Sequence, residues 1–349
     1  MRCRRLAVGS LLILVILLLV ACGRSQQSSS GSETGGGGAA APQSSADPGG
    51  SNASEPALEK TDVTVGNSVT GLGFMPIYVA IEKGFLEQQG LNVTLNTFKG
   101  GTEALQAVAA GAVDIGIGGI TEPIDAMAAG QRLLGFFSLA NSPIYEWWSA
   151  PDIETLDDLK AKKGKIAVST IGSVSHQLTR YALQKAGLDP DNDVEYVAIG
   201  GGGAGRAAAL QAGQVDAIPA TPPGNMELAD QGYHLLLEQR DSMSEYPWEV
   251  AYAQESFLRE NPNTVRAFVK GLSEAIAWAK NNVEEATEIT VEAMKLDESL
   301  HTYALEAMKQ IIDDYPEDGH FPEEGIEVML GFYKESGELA EVPELTEFL

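Results

Sequence analysis

Cysteine is almost absent from this chain, and its absence excludes several kinds of chemistry. Both cysteines, Cys3 and Cys22, lie at the extreme N-terminus. The rest of the chain therefore has no disulfide, no thiolate nucleophile and no cysteine-ligated metal. The histidines are scattered without HExxH or paired spacing, which argues against a zinc enzyme (His176, His234, His301 and His320). We expect no metal and no cofactor.

Basic residues are scarce as well. The chain has 23 Lys and Arg against 49 Asp and Glu, a formal net charge of −26. Nucleic-acid binding is not expected, because no basic stripe is present to neutralise a phosphate backbone. The acidic balance favours a soluble monomer but says little about a ligand, because the local charge of a site can oppose the global field.

Long apolar runs are missing except at the N-terminus, where one predicts an export signal. Basic residues (Arg2, Arg4 and Arg5) precede an apolar stretch at 6–20. The stretch ends in Leu19-Val20-Ala21-Cys22, which resembles a bacterial lipoprotein box. That resemblance implies a signal peptide at 1–21, cleavage before Cys22 and lipidation of the Cys22 thiol, with palmitate among the acyl chains. The protein would then be exported and held by its lipid on the outer face of the cell membrane or on its periplasmic side. The alternative is an uncleaved membrane anchor.

A tether follows the lipidated cysteine. Residues 22–61 are mostly Ser, Gly, Ala, Pro and Gln, with too few large apolar residues to form a core. Such a segment is a flexible linker, which lets a folded body move while it stays attached to a membrane. The folded part begins at about residue 62 and is long enough for two lobes.

The folded part alternates short apolar runs with helical patterns, which predicts an α/β fold with mainly parallel strands. Strands are predicted at 63–68, 92–97, 113–117, 133–139, 165–169, 194–199, 215–219 and 233–237. Helices are predicted at 75–89, 102–110, 122–129, 174–186, 205–212 and 224–230. After about residue 248 the pattern becomes helical and strongly acidic, which we interpret as solvated helix faces packed on the first lobe.

The chain also repeats itself. VTLNTFKGGTEALQAVAAGAVDIGIGGITEP, from Val93, corresponds to VEYVAIGGGGAGRAAALQAGQVDAIPATPP, from Val194. Each contains a strand, a glycine turn, a helix, a Gly-x-Val-Asp sequence and a strand that ends in a Thr/Pro turn. The repeat predicts two similar lobes. Ligands bind outside the carboxyl ends of parallel strands, so we expect the turns at 71–76, 99–102, 118–121, 170–175, 200–205 and 220–224 to enclose one cleft.

The motif Gly73-Phe74-Met75-Pro76-Ile77-Tyr78-Val79-Ala80-Ile81-Glu82-Lys83-Gly84-Phe85 resembles the opening of substrate-binding proteins of ABC importers. The resembling group binds sulfonates, nitrate, thiamine precursors or riboflavin, and the likeness extends over about 62–340. It implies a type II periplasmic-binding-protein clamshell with mainly parallel sheets flanked by helices and a helical C-terminal region. It further implies a first lobe at 62–147, a second at 148–250 and C-terminal helices of the first lobe at 251–349. The partners implied are a small-molecule ligand, an ABC permease and, through it, an ATPase.

Candidate ligand-binding residues lie in the strand-end turns, where glycine N–H groups and hydroxyls can bind acceptors. In the first lobe they are Gly73, Phe74, Met75, Gly118, Gly119 and Thr121. In the second they are Thr170, Gly172, Ser173, Ser175, His176 and Thr221. Simpler interpretations stay open: a tight turn before a core helix at 71–76, a helix N-cap at Thr121, and a structural or surface histidine at His176.

Tyr145, Trp147 and Trp148 lie on the expected crossover between lobes, where an aromatic face can stack on a flat ligand. Because side chains alternate along a strand, only one of Trp147 and Trp148 can face the cleft. The alternative to a ligand contact is that one of them is a core residue and the other a surface residue. Trp248 and Tyr252, on the return strand, are secondary candidates. Aromatics with few cations nearby favour riboflavin or a thiamine pyrimidine precursor. An alkanesulfonate, taurine or nitrate is the alternative ligand.

Catalysis is the weaker interpretation. The run of glycines at 201–205 lacks the acidic residue that a dinucleotide site needs at the end of the next strand, and GxxxxGK[ST] and GxSxG are absent. Some relatives make the thiamine pyrimidine with a cysteine-rich motif, and the mature domain here has no cysteine. A solute-sensing lipoprotein remains the alternative of another class.

Overall fold

The structure is a computed structural model that describes residues 57–141, 145–222, 224–239, 243, 245–335 and 337. The predicted export signal, Cys22 and most of the predicted linker lie outside the described residues. Within the described part, no helix is both long and apolar enough to cross a membrane.

Ten strands are described. The strands are β1 (Asp62–Asn67), β2 (Asn92–Thr97), β3 (Ile115–Gly119), β4 (Leu133–Ala140), β5 (Glu146–Ser149), β6 (Lys165–Val168), β7 (Glu195–Ala198), β8 (Ala217–Ala220), β9 (His234–Glu238) and β10 (Glu249–Gln254). Eight of them correspond to the strands predicted from the apolar periodicity. The other two, β5 and β10, lie in the crossover segments and follow a strand without an intervening helix among the described residues.

The strands form two five-stranded sheets with the same layout. The first has the order β2-β1-β3-β10-β4 and the second β7-β6-β8-β5-β9. In each sheet the fourth strand runs antiparallel to its neighbours and comes from the segment that has just crossed from the other sheet. The matching orders confirm the two-lobed α/β architecture predicted from the repeat. All of β5 pairs within the second sheet, so the expected lobe boundary between 147 and 148 falls inside a strand.

In the part of the chain that the structure describes, thirteen α-helices cover the sheets and form the C-terminal region. The helices of the first two-thirds are α1 (Met75–Glu82), α2 (Phe85–Gln88), α3 (Gly101–Ala109), α4 (Thr121–Ala128), α5 (Leu156–Lys162), α6 (Val174–Lys185), α7 (Gly202–Gln211) and α8 (Gly224–Asp230). The C-terminal helices are α9 (Glu255–Glu260), α10 (Pro262–Asn281), α11 (Val283–Met294), α12 (His301–Ile311) and α13 (Glu323–Glu335). Both α10 and α11 pack on α1, the helix that follows β1.

The repeated Gly-x-Val-Asp sequence has the same structural role in each lobe. The carboxylate of Asp114 accepts the backbone N–H of Thr64 at 2.8 Å and pairs with Lys60. The carboxylate of Asp216 accepts the backbone N–H of Lys165 at 2.8 Å and pairs with Lys162. Each aspartate thus fixes the start of the neighbouring parallel strand, which explains why this motif recurs in both halves of the chain.

Candidate functional site

The strand-end turns of the two lobes meet each other on one side of the sheets. A Cβ at Gly119 would overlap Cγ2 of Val174, at the start of α6. A Cβ at Gly100 would lie 2.8 Å from Cγ2 of Thr170, whose hydroxyl is 3.2 Å from that of Thr102. Glycine is therefore required at both first-lobe positions for this approach, and the two lobes are closed against each other in this structure.

A second set of turns meets beside the first. Gly202, with φ +67°, lies against the carbonyl of Thr70, and a Cβ at Gly200 would lie 3.0 Å from the carbonyl of Lys99. Next to this contact is a cavity of about 240 Å³, which opens between the first-lobe turn, α7 and the segment after α11. The predicted site residue Thr221 lines this cavity.

The predicted first-lobe loop contributes backbone and bulk to the region. Gly73 lies against the side chains of Trp248 and Glu249, where a Cβ would come within 2.9 Å of each. Phe74 and Met75 are fully buried in the core of the first lobe. The loop thus shapes the wall next to Trp248, while its two large apolar side chains support that wall from inside.

The turn after β3 is also at the interface between the lobes. Gly118 lies against Ser68 and Glu122, and Thr121 is the first residue of α4 and is fully buried. The Thr121 hydroxyl lies 3.5 Å from the carboxyl group of Glu122. Two of the predicted glycines, Gly118 and Gly119, therefore lie against the carboxyl side chain of Glu122, which the sequence did not predict as a site residue.

The predicted second-lobe turn is held by its own hydrogen bonds. The hydroxyls of Ser173 and Ser175 form a network with Ser169, and the N–H of Gly172 donates to Nδ1 of His176 at 3.0 Å. Burial, with a further contribution from nearby Arg180, lowers the pKa of His176 to about 4. His176 is thus a neutral, largely buried residue that accepts a turn hydrogen bond, which matches the structural alternative raised from the sequence.

Both crossover tryptophans have protein partners for their indole N–H groups. Trp147 donates to the hydroxyl of Thr179 at 2.9 Å, and Trp148 donates to the carboxyl group of Glu146 at 2.8 Å. The two rings belong to different core clusters, as strand alternation predicts. Each ring therefore contributes to packing within the protein.

Trp248, a secondary candidate, has the features of a ligand-facing aromatic residue. Its Nε1 is buried and has no hydrogen-bond partner among the described residues. The Tyr145 ring packs on it edge-to-face with centroids 6.0 Å apart. Burial raises the pKa of the Tyr145 phenol, which remains a neutral donor at physiological pH. Trp248 and Tyr145 thus form an aromatic wall at the crossover segments.

Three buried polar residues of this region, Glu122, Glu249 and Asn67, were not predicted from the sequence. Glu249 and Asn67 are 5% and 0% exposed, and Oε2 of Glu249 and both amide atoms of Asn67 have no hydrogen-bond partner in the described part of the chain. Burial raises the pKa of Glu122 to about 8 and that of Glu249 well above its usual range. A charged residue at the start of an apolar strand, as in Glu249-Val250-Ala251-Tyr252, was the available signal.

Arg206 is the buried cation of this region. It is 2% exposed, its Nε donates to the carbonyl of Pro219 at 2.9 Å, and its guanidinium lies 6.0 Å from the centre of the Tyr145 ring. It forms no ion pair with any residue that the structure describes. Arg180, on α6 of the same lobe, instead pairs with Asp191.

A family model described as NMT1/THI5 like matches residues 72–286. The chain belongs to this family. It is 25% identical over 225 residues to a candidate binding protein of Bacillus subtilis, YtlA, a match that covers 64% of this chain and 67% of that one. It is 26% identical over 287 residues to the nitrate/nitrite binding protein NrtA of Synechococcus elongatus, covering 71% of this chain and 64% of the other.

Solved structures share the fold. A protein of Bordetella bronchiseptica RB50 superposes with a TM-score of 0.71 at 27% identity, covering 83% of this chain and 92% of that one. The periplasmic aliphatic sulphonate binding protein SsuA of Escherichia coli superposes with a TM-score of 0.63 at 21% identity, covering 83% and 97%. The fold is that of the type II periplasmic binding proteins, as the sequence predicted.

Proposed function

We propose that this protein is the substrate-binding component of an ABC importer. It captures a small molecule between its lobes and delivers it to a membrane permease driven by an ATPase. The observation that carries the proposal is the closure of matching strand-end turns over buried polar atoms that lack protein partners among the described residues, at Asn67, Trp248 and Glu249. Such atoms are costly to bury unless a ligand hydrogen-bonds to them.

We further propose the lipid anchor and oligomeric state expected from the sequence, and the expected lobe assignment with all of β5 moved to the second lobe. The lipid on Cys22 and the linker would hold a monomer at the outer face of the cell membrane, where the folded body is free to reach the permease. Mass spectrometry of the mature protein tests the anchor: a mass that includes acyl chains on Cys22 supports it, and an unmodified Cys22 contradicts it.

An aromatic heterocycle is the ligand that we favour, either riboflavin or a thiamine pyrimidine precursor. Trp248 and Tyr145 offer aromatic surface on which a flat ring can stack, and stacking of this kind contributes about 0.5–1.5 kcal/mol beyond burial. Buried polar side chains beside them would fix the orientation of the ring, as is usual in small-molecule sites.

An alkanesulfonate, taurine or nitrate is the second candidate. The buried guanidinium of Arg206 favours it, because Arg is the side chain that best matches oxyanion geometry. The relatives named for nitrate and sulphonate binding belong to the same fold class. Against it, two buried carboxyl groups lie on the facing lobe.

Calorimetry and tryptophan fluorescence test these ligands directly. The purified protein should bind riboflavin or a pyrimidine precursor with a change in tryptophan emission, because Trp248 lies at the proposed contact. Tight binding of taurine, alkanesulfonates or nitrate without binding of the heterocycles would replace the first ligand class with the second. A neighbouring permease and ATPase gene supports import, and their absence beside a closing, ligand-binding protein points to a solute sensor.

A further inference from the structure

The cavity beside the closed turns is separate from the buried polar atoms of the cleft. It has a volume of about 240 Å³, and Asn67, Trp248 and Glu249 are not among the residues that line it. Among the described residues, none of the buried polar atoms that lack a partner belongs to its lining. The two features therefore suit different parts of a ligand, the cleft a group that forms hydrogen bonds and the cavity a group that forms none.

One side of the cavity is a helix face made of small side chains. Three alanines at helical spacing on α7 line it: Ala204, Ala207 and Ala208. The polar side chains on this side have protein partners, because the Gln211 amide donates to Gln231 at 2.9 Å and Gln231 donates to the Glu227 carboxylate at 2.8 Å. The alanine methyl groups are thus the surface that this side offers to a ligand.

The opposite side is a short apolar segment that backbone hydrogen bonds hold in place. Its apolar lining residues are Met294, Leu296 and Leu300. The helix α11 ends at Lys295, with φ +54°, and the Leu296 N–H donates to the Val291 carbonyl at 3.0 Å. The Leu300 N–H donates to the Asp297 carbonyl at 2.9 Å. The two leucines therefore form a wall of fixed position.

The two sides are attached to different sheets. The helix α7 packs on β6 and β8 of the second sheet, whereas α11 packs on α1, which follows β1 of the first sheet. Three residues beyond Leu300, the Tyr303 hydroxyl on α12 donates to the Asp230 carboxylate on α8 at 2.9 Å. Because its walls come from both halves of the fold, the cavity is complete only when the lobes are closed.

We propose that this cavity is a subsite for an apolar group, of about the size of a phenyl ring, on a ligand whose polar end is held in the cleft. The inference rests on the proposed function and adds a requirement to its ligand. An apolar cavity of about 150 Å³ is large enough to bind benzene, so a cavity of about 240 Å³ has room for a ring or a branched alkyl group.

The subsite selects among ligands by their apolar part. Nitrate has no apolar group and taurine only a short one, so both leave the cavity unfilled. A ligand that fills it removes apolar surface from water on both walls at once, and therefore binds the closed form better than the open form. The leucine wall at 296 and 300 then limits how long the apolar group can be.

Fluorobenzene is a suitable probe of the cavity, because it is apolar, has about the size of benzene and can be followed by fluorine NMR. The purified protein should bind it at millimolar concentration. Ala208→Leu should weaken this binding at least fivefold, because the larger side chain fills the cavity from α7. Ala161→Leu, at an equally exposed alanine on α5, is the matched control and should leave the affinity unchanged.

The leucine wall is tested from the other side. Leu300→Ser should weaken fluorobenzene binding at least threefold, because it removes apolar contact, whereas Leu235→Ser, at an exposed leucine on β9, should not change it. Circular dichroism and a thermal melt establish that each variant is folded. Unchanged binding in both Ala208→Leu and Leu300→Ser, or no binding by the native protein, overturns the proposal.

Competition with ligands shows whether the cavity belongs to the ligand site. Riboflavin, 2-methyl-4-aminopyrimidine, hexanesulfonate, taurine and nitrate are first tested by calorimetry, and the tightest binder is then added to the fluorobenzene complex. A ligand that fills the cavity displaces fluorobenzene, which is the expected result. A ligand that closes the lobes over an unfilled cavity instead strengthens fluorobenzene binding, because both then favour the same closed form.

The subsite and the proposed function fail by different results. If the tightest ligand strengthens fluorobenzene binding or leaves it unchanged, the subsite is overturned and the binding-protein function stands. If none of the five compounds binds, the proposed function is overturned, and with it the assignment of the cavity to an imported ligand.

Discussion

Replacing Glu122 with glutamine should stabilise the folded protein near neutral pH. The side chain is 3% exposed, and burial raises its pKa from 4.5 to about 8. The folded protein therefore keeps a proton that the unfolded chain releases above about pH 4.5. Stability from this group is fully present below that pH, falls as the pH rises and stops falling above about pH 8.

The magnitude follows from the two pKa values. Each pH unit between them is worth about 1.4 kcal/mol, so retaining the proton on Glu122 at pH 7 costs about 3 kcal/mol. The unfolding free energy of Glu122→Gln, measured relative to that of the native protein, should increase by about 2.5 kcal/mol between pH 5 and pH 7. The amide has nearly the same shape and no charge to lose.

Urea denaturation of both proteins at several pH values in this range measures the difference, with ligand removed beforehand. Glu249 is buried nearby and responds to pH in the same direction, so the variant should keep a weaker decline in stability. The control variant Glu195→Gln, at an exposed position on β7, should leave the dependence of the unfolding free energy on pH unaltered. Parallel profiles for Glu122→Gln and the native protein would refute the buried-carboxyl reasoning.

Two further predictions concern closure and stacking. Gly119→Ala should weaken ligand binding at least tenfold by calorimetry, because the added Cβ would overlap Val174. Adding Val174→Ala to the same chain should restore part of the lost affinity. The control Gly331→Ala, whose Cβ would lie in open space on α13, should leave the affinity unchanged. Trp248→Leu should weaken the binding of an aromatic ligand by about 2 kcal/mol. Trp148→Leu should leave the affinity unchanged but lower the free energy of unfolding by about 2–4 kcal/mol.

Local pattern in the sequence was enough to predict the fold. Apolar periodicity located eight of the ten described strands but not β5 or β10, and the repeat predicted two lobes because each copy has to bury the same faces. Asp114 and Asp216 recur because each fixes a neighbouring strand, a role that a local pattern reveals only as repetition.

The candidate site could be predicted only in part, because burial and partners are set by distant segments. The glycine turns were visible, since close approach of backbones requires glycine. Glu122 was not selected, although it follows Thr121 directly, because an acidic residue in a first helical turn is usually exposed. Similarly, the preference for Trp248 over Trp148 depends on whether Glu146 lies within reach of the indole, which the sequence does not specify.

The buried carboxyl and amide groups also link ligand binding to closure. A closed form without ligand would contain unpaired atoms at Glu249 and Asn67, each costing about 1–3 kcal/mol, whereas an open form would hydrate them. The three atoms together cost about 3–9 kcal/mol, a range that includes the roughly 5.5 kcal/mol that separates a 1:99 from a 99:1 population. The double variant Asn67→Leu/Glu249→Leu should therefore shift the ligand-free protein towards closure, which a smaller radius of gyration in X-ray scattering would reveal. An unchanged radius, in a variant shown to be folded, would mean that the unpaired atoms do not hold the lobes apart and that closure is governed by the contacts between the turns.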